Sequence, residues 1–186
     1  YALPCAHCLI FDLNSSEITV KKYWDCIENR RAFSGSSEEL PQYVRDNVIK
    51  AVERWTMSDV PLACSLSGGL DSSIIAALVS KGHVLHTYSL GFDNEKAYDE
   101  REMARELAEK YGTKHEEILL NPNELLKDMN EMVLSLDSPY AGGLPSWFVF
   151  RKIHGNEKVV FNGTGGDELF GNYSKWLRYE HPFMRF

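Results

Sequence analysis

Ser67-Gly68-Gly69-Leu70-Asp71-Ser72-Ser73 lies between an apolar run, Val60-Pro61-Leu62-Ala63-Cys64-Ser65-Leu66, and a second one, Ile74-Ile75-Ala76-Ala77-Leu78-Val79. The order reads strand, glycine turn, helix. Such a turn leaves backbone N–H groups unpaired at a helix N-terminus, where the dipole favours negative charge. Gly68 and Gly69 allow a sharp bend and close approach to a ligand. Ser67, Ser72 and Ser73 offer hydroxyl donors. Asp71 repels a phosphate but suits a Mg2+ that bridges phosphates. The expected ligand is therefore Mg2+-pyrophosphate, as part of ATP. The plainer alternative is a serine-glycine turn that caps an ordinary helix.

Outward from this turn the chain alternates. A helix starts at a capping box, Ser36 to Glu39, and carries Leu40, Val44, Val48, Val52 and Trp55 at helical spacing. The helix after the glycine turn is expected to stop at Gly82. Val84 to Phe92 reads as a strand, and Tyr98 to Tyr111 as a helix with Met103, Leu107 and Tyr111 on one face. Lys114 to Leu120 is a strand. Asn121 and Pro122 open a helix whose stripe, Leu125, Leu126, Met129, Met132, Val133 and Leu136, reads as core. Residues 144–154 form a further helix and Lys158 to Asn162 a strand. Ahead of all this, residues 8–24 look like a β-hairpin, and Glu28 to Ser37 like a linker. The expected fold is α/β: a parallel sheet with helices on both faces, preceded by a short β-hairpin. Ligands in such sheets bind at the carboxyl ends of the strands.

The last strand runs into Asn162-Gly163-Thr164-Gly165-Gly166-Asp167-Glu168-Leu169-Phe170-Gly171, with four glycines in the nine residues from Gly163. So much glycine brings backbone close to something. Asp167 and Glu168 add negative charge beside an expected phosphate site. A Mg2+ shared with Asp71 reconciles the two charges. An acidic helix N-terminus held by its dipole is the alternative.

Composition removes several classes. The 186 residues suit one domain of this size, and the formal charge of −7 argues against nucleic acid as main partner. No apolar stretch approaches the ~20 residues of a membrane span. A cytoplasmic enzyme is expected. Four cysteines do not make a disulfide scaffold. Cys5 and Cys8 form a C-x-x-C pair with no second pair to complete a metal site, and Cys64 reads as packed rather than reactive. The chain opens on Tyr1 without an initiator methionine and reads as part of a longer protein.

The pattern S-G-G-x-D-S resembles the signature of the PP-loop ATP pyrophosphatases. Further pieces sharpen the resemblance: Val60-Pro61, Thr87 to Phe92, Tyr98-Asp99-Glu100, Gly112 to Glu117, Asp137-Ser138-Pro139 and Gly163 to Tyr173. In this order they resemble the synthetase domain of the class B, glutamine-dependent asparagine synthetases. Leu3 to Asp25 resembles the hairpin that closes the preceding glutaminase domain of that family. The implied organisation is hairpin 1–25, linker 26–37 and synthetase domain 38–186, with the fold of the adenine nucleotide alpha hydrolase (HUP) type. The implied reaction has two steps. A carboxylate attacks the α-phosphate of ATP and releases pyrophosphate; ammonia, from glutamine, then displaces AMP to give an amide. Carried over by position, Ser67 to Ser73 cradle pyrophosphate, and Asp71 and Asp167 bind Mg2+. Ser65, Leu90, Asn162 and Gly163 hold the nucleotide.

The chain departs from this pattern at Thr164, where the family has Glu or Tyr. A threonine hydroxyl is too weakly acidic to serve as general base near neutral pH. Ser138 and Asn172 also differ. The implied partners are ATP, aspartate or another carboxylate, ammonia and an N-terminal glutaminase domain; the oligomeric state stays open, a homodimer included. The family's distal lysine and its acidic partner are not within the 186 residues, so this segment alone is expected to turn ATP over poorly. Two other classes stay in view: enzymes that use the same loop on tRNA, and a degenerate domain that binds nucleotide without catalysis. His115 reads as structural rather than as a site residue.

Overall fold

The computed structural model describes residues 2–92, 99–120, 122–136 and 144–171. Contacts divide the chain into two units, 1–45 and 46–186. The first holds an antiparallel hairpin of β1 (His7–Phe11) and β2 (Ile18–Lys22), in register from His7↔Lys22 to Phe11↔Ile18. Its loop is folded by Asp12, whose Oδ1 accepts the N–H groups of Asn14 and Ser15 at 2.8 and 2.9 Å. This is the Asx turn that aspartate favours. Helix α1 (Leu40–Trp55) follows, and Glu39 reaches back to accept the Ser36 N–H at 2.8 Å, one half of the expected capping box.

In the second unit, β3 (Leu62–Ser65), β4 (Leu85–Phe92), β5 (Lys114–Leu120) and β6 (Val159–Phe161) form one parallel sheet in the order β5-β4-β3-β6. Strand alternation sorts its apolar side chains to two faces. On one, Leu62, Cys64, Leu66 and Leu85 pack with Ala76 and Val79 of α2 (Leu70–Val79) and with Ala104 and Ala108 of α3 (Arg101–Tyr111). On the other, Ala63, Tyr88 and Ile118 pack with Val149 and Ile153 of α5 (Leu144–Ile153). The expected α/β architecture, helices on both faces and a hairpin ahead, is the one observed. Burial pushes the Cys64 thiol up to about 12, so it stays an uncharged, packed group. Below α5, the buried Glu157 carboxylate accepts the Tyr88 hydroxyl at 3.2 Å and meets His86 Nδ1, tying the entry of β6 to β4.

Some details differ from the sequence reading. Helix α2 ends at Val79 with Ser80 as its C-cap in ordinary helical conformation, so Gly82 does not stop it. Gly112, with φ +66°, does end α3. The inner face of α3 is made by buried Ala104 and Ala108, with Leu107 of the expected face packed against the same core, whereas Met103 is 57% exposed. In α4 (Pro122–Leu136), Met132 is buried while Met129 and Val133 are exposed, so the stripe is only partly core. Tyr98, Asn121 and the segment Asp137-Ser138-Pro139 lie outside the described residues. Among the described residues, no helix is long and apolar enough to cross a membrane.

Leu85 is 1% exposed in the layer between sheet, α2 and α3. Leu85→Ala is expected to lower the unfolding free energy by about 2–5 kcal/mol in urea titration. A loss under about 1 kcal/mol would place that layer elsewhere.

Candidate functional site

Parallel strands β3 and β6 are neighbours, so the turns that follow them emerge side by side at the carboxyl edge. The turn after β3 is shorter than the motif suggests, because α2 already begins at Leu70. Asp71, Ser72 and Ser73 therefore lie in its first turn. The N-cap is Gly69, and no side chain caps it. The first-turn amides, which have no acceptor within the helix, are thus left at the edge. Gly68 is buried with φ +84°, a conformation that a side chain would strain.

The serines do not all face outward as donors. Ser72 is 5% exposed; its hydroxyl donates to the Gly69 carbonyl at 3.2 Å and accepts the Ser67 N–H at 3.2 Å. The Ser73 hydroxyl donates to the same carbonyl at 2.6 Å. Ser67 Oγ lies 3.0 Å from Ser72 Oγ and accepts the Gly69 N–H at 3.3 Å. These hydroxyls hold the loop's shape. They tie the loop to the first turn of α2.

The second turn leads from β6 into α6 (Gly166–Phe170), and its glycines meet the first turn directly. A Cβ on Gly163 would fall 2.8 Å from Ser72 N and 3.0 Å from Asp71 Cβ. A Cβ on Gly166 would collide with the Asp71 carboxyl group. What the glycine-rich segment approaches is therefore Asp71 and the start of α2. Asp167 follows Gly166 in the first turn of α6 and is half-buried. Thr164 is exposed, and its N–H donates to Asn162 Oδ1 at 3.0 Å. Ser65 ends β3, and Leu90 lies on β4 among the half-buried groups facing α5. No Lys or Arg occurs in residues 60–73 or 159–171. A phosphate placed at this edge would be repelled by Asp71 and Asp167 unless a cation lay between them. Among the described residues, no group of three or more His, Cys, Asp or Glu converges as a metal cage. Mg2+ suits a site with one or two carboxylates, because it keeps waters and takes phosphate oxygens as its other ligands.

Two hollows of about 420 and 310 Å3 lie away from these turns, one bordered by Leu119, Phe148 and Arg151, the other by Val52, Leu78 and His83. Neither gathers the glycine turns. Cys5 is exposed, and Cys8 Sγ contacts the Lys21 carbonyl across the hairpin at 3.5 Å. His115 is tied to the neighbouring strand: Nδ1 lies 3.0 Å from Thr87 Oγ1 and Nε2 3.1 Å from Ser89 Oγ. At the entrance to α3, Asp99 and Glu117, which lie in the family-like segments of the sequence, clamp Arg101, a residue outside any of them.

The fold defines the class: a parallel α/β sheet with helices on both faces and two glycine turns side by side at its carboxyl edge. Comparison with known proteins narrows this. The family model for asparagine synthase matches residues 43–185. A glutamine-hydrolyzing asparagine synthetase 1 of Bacillus subtilis is 32% identical over 161 residues, covering 85% of this chain and 25% of that protein. A putative glutamine-hydrolyzing asparagine synthetase 2 of Methanocaldococcus jannaschii is 29% identical over 191 residues, covering 100% of this chain and 36% of that protein. The chain thus spans about a quarter to a third of the curated relatives it matches. Among solved structures, the NMN synthetase of Francisella tularensis matches with TM-score 0.45 and 19% identity over 77% of this chain and 61% of that one. The chain belongs to the asparagine synthase family.

Burial holds the His115 pKa below its ordinary value of 6.5. The folded state therefore takes up its proton less readily than the unfolded one. Stability contributed by neutral His115 is present above pH 6.5 and is lost progressively as pH falls below it. His115→Gln is expected to flatten the stability profile in that range, read by urea unfolding at stepped pH. An unchanged slope would show that His115 is not the group responsible.

Proposed function

We propose that residues 38–186 form the ATP-using synthetase part of an amide-forming ligase. The supporting observation is the closure of Gly163 and Gly166 onto Asp71 and the Ser72 amide at the carboxyl edge. Two turns so close, one rich in amides and one acidic, suit a single Mg2+-nucleotide bridging them. Asp71 and Asp167 would hold the Mg2+. When bound, Mg2+ neutralises charge on the phosphate oxygens.

In this reading the first-turn amides of α2 hold the β and γ phosphates, with Ser67, Ser72 and Ser73 fixing the loop around them. Ser65, Leu90, Asn162 and Gly163 seat the rest of the nucleotide. A carboxylate oxygen of the substrate attacks the α-phosphorus, and the bond to the bridging oxygen breaks with its electron pair leaving on pyrophosphate. Ammonia then adds to the acyl carbon, AMP leaves, and an amide remains. The protein's contribution is placement and charge compensation. Glutamine, hydrolysed by a glutaminase domain ahead of residue 38, supplies the ammonia. Aspartate is the first substrate to test. Thr164 favours a second reading, in which another carboxylate is activated or catalysis is lost. Its hydroxyl cannot serve as a base near neutral pH, and the residue stands exposed beside the acidic turn.

The test is made on the full-length chain with Mg2+-ATP, ammonia and L-aspartate. AMP, pyrophosphate and asparagine are expected in equal amounts. AMP formed only with another carboxylate would move the substrate, and ATP binding without AMP would support a domain without catalysis. Asp71→Asn is expected to lower turnover about 100-fold or more. Full activity in that variant would contradict the metal role.

A further inference from the structure

The entrance to α3 carries an arrangement that the reading so far leaves unused. Arg101 is the first residue of α3, and its side chain is largely covered. Asp99 accepts it twice, from Nε at 2.7 Å and Nη2 at 2.6 Å, and also accepts the Arg101 backbone N–H at 3.2 Å. One carboxylate thus clamps the side chain and caps the helix start. Glu117 of β5 stands on the other side, 3.8 Å from Arg101 Nη1 and 2.7 Å from Arg105 Nε. Between them the Arg101 arm lies across the backbone of β4: a Cβ on Gly91 would occupy the place of its Nε and Cδ. Arg105 holds Glu117 below its ordinary pKa, and Arg101 lowers Asp99 to about 2, so both carboxylates are charged near neutral pH.

The helix start that the clamp holds abuts the turn after β3. A Cβ on Gly68 would lie 3.1 Å from the Glu100 carbonyl and 3.3 Å from Met103 Cβ, on either side of Arg101 in sequence. The left-handed residue of the loop therefore rests on the first turn of α3. Two carboxylates and two guanidiniums balance, so the group adds no net charge for a phosphate to feel. We propose that Arg101 is a positioning residue for the phosphate loop: held over Gly91 between Asp99 and Glu117, it fixes the α3 N-terminus against which Gly68 is seated. The inference rests on the nucleotide reading above.

The test is calorimetric titration of the full-length chain with Mg2+-ATP, together with KM for ATP and kcat. R101Q is expected to weaken Mg2+-ATP about tenfold and to raise KM for ATP more than it lowers kcat. R101K keeps the charge but not the bidentate fork, and is expected to fall close to R101Q. Arg151→Gln breaks the ion pairs of α5 with Asp128 and Glu131, outside the clamp, and is expected to leave ATP affinity within about twofold of wild type. Equal affinity in wild type and R101Q overturns the inference alone. So does a loss in Arg151→Gln as large as that in R101Q, which would mark a general loss of stability. Failure of the wild-type chain to bind Mg2+-ATP overturns the nucleotide reading, and the inference with it.

Discussion

The start of α2 and the turn after β6 are in contact at a place that tolerates hydrogen atoms and nothing larger. Where Gly163 and Gly166 meet Asp71 and the Ser72 amide, any side chain would drive the two turns apart. Close packing makes such a contact unforgiving, because the core beneath cannot yield. Beneath it, β3 and β6 are hydrogen-bonded neighbours, and Cys64 and Phe161 stand in register near the carboxyl ends of the two strands. The parallel pairing fixes the height of both turns, and the glycines let them close. Everything proposed about ligand and metal depends on that closure.

The electrostatics follow from it. A helix N-terminus capped by Gly69 attracts an anion, while the adjacent Asp71 and Asp167 attract a cation. Neither preference is satisfied by a phosphate alone or a metal alone. A metal-nucleotide satisfies both. The proposed composite ligand would meet both preferences without a lysine in the loop.

Much of this was legible in the chain. The run Val60 to Leu66 followed by Ser67-Gly68-Gly69 specified strand, turn and helix, and repetition of that alternation specified a parallel sheet. The glycines from 163 to 171 announced a close approach, and Asp71 and Ser72 proved to be what they approach. Other features were hidden because they depend on tertiary partners. Periodicity placed Met103 and Leu107 on the inner face of α3; Leu107 packs against the core, but Met103 is exposed and the closest approach to the sheet falls to Ala104 and Ala108. Serine composition suggested ligand donors, whereas Ser72 and Ser73 fold back on the Gly69 carbonyl, a choice open to any serine early in a helix. Arg101 carries no motif; its meaning lies in Gly91 and in Glu117, which belongs to the neighbouring strand.

The most direct measurement is the binding of Mg2+-ATP to the full-length chain and to its Gly163→Ala variant, by calorimetry at matched Mg2+. If the two turns hold one metal-nucleotide between them, the wild-type chain binds and the variant loses about tenfold or more in affinity while remaining folded by circular dichroism. Equal affinity in a folded Gly163→Ala variant would show that the nucleotide does not need the closure, and would contradict the account at its centre.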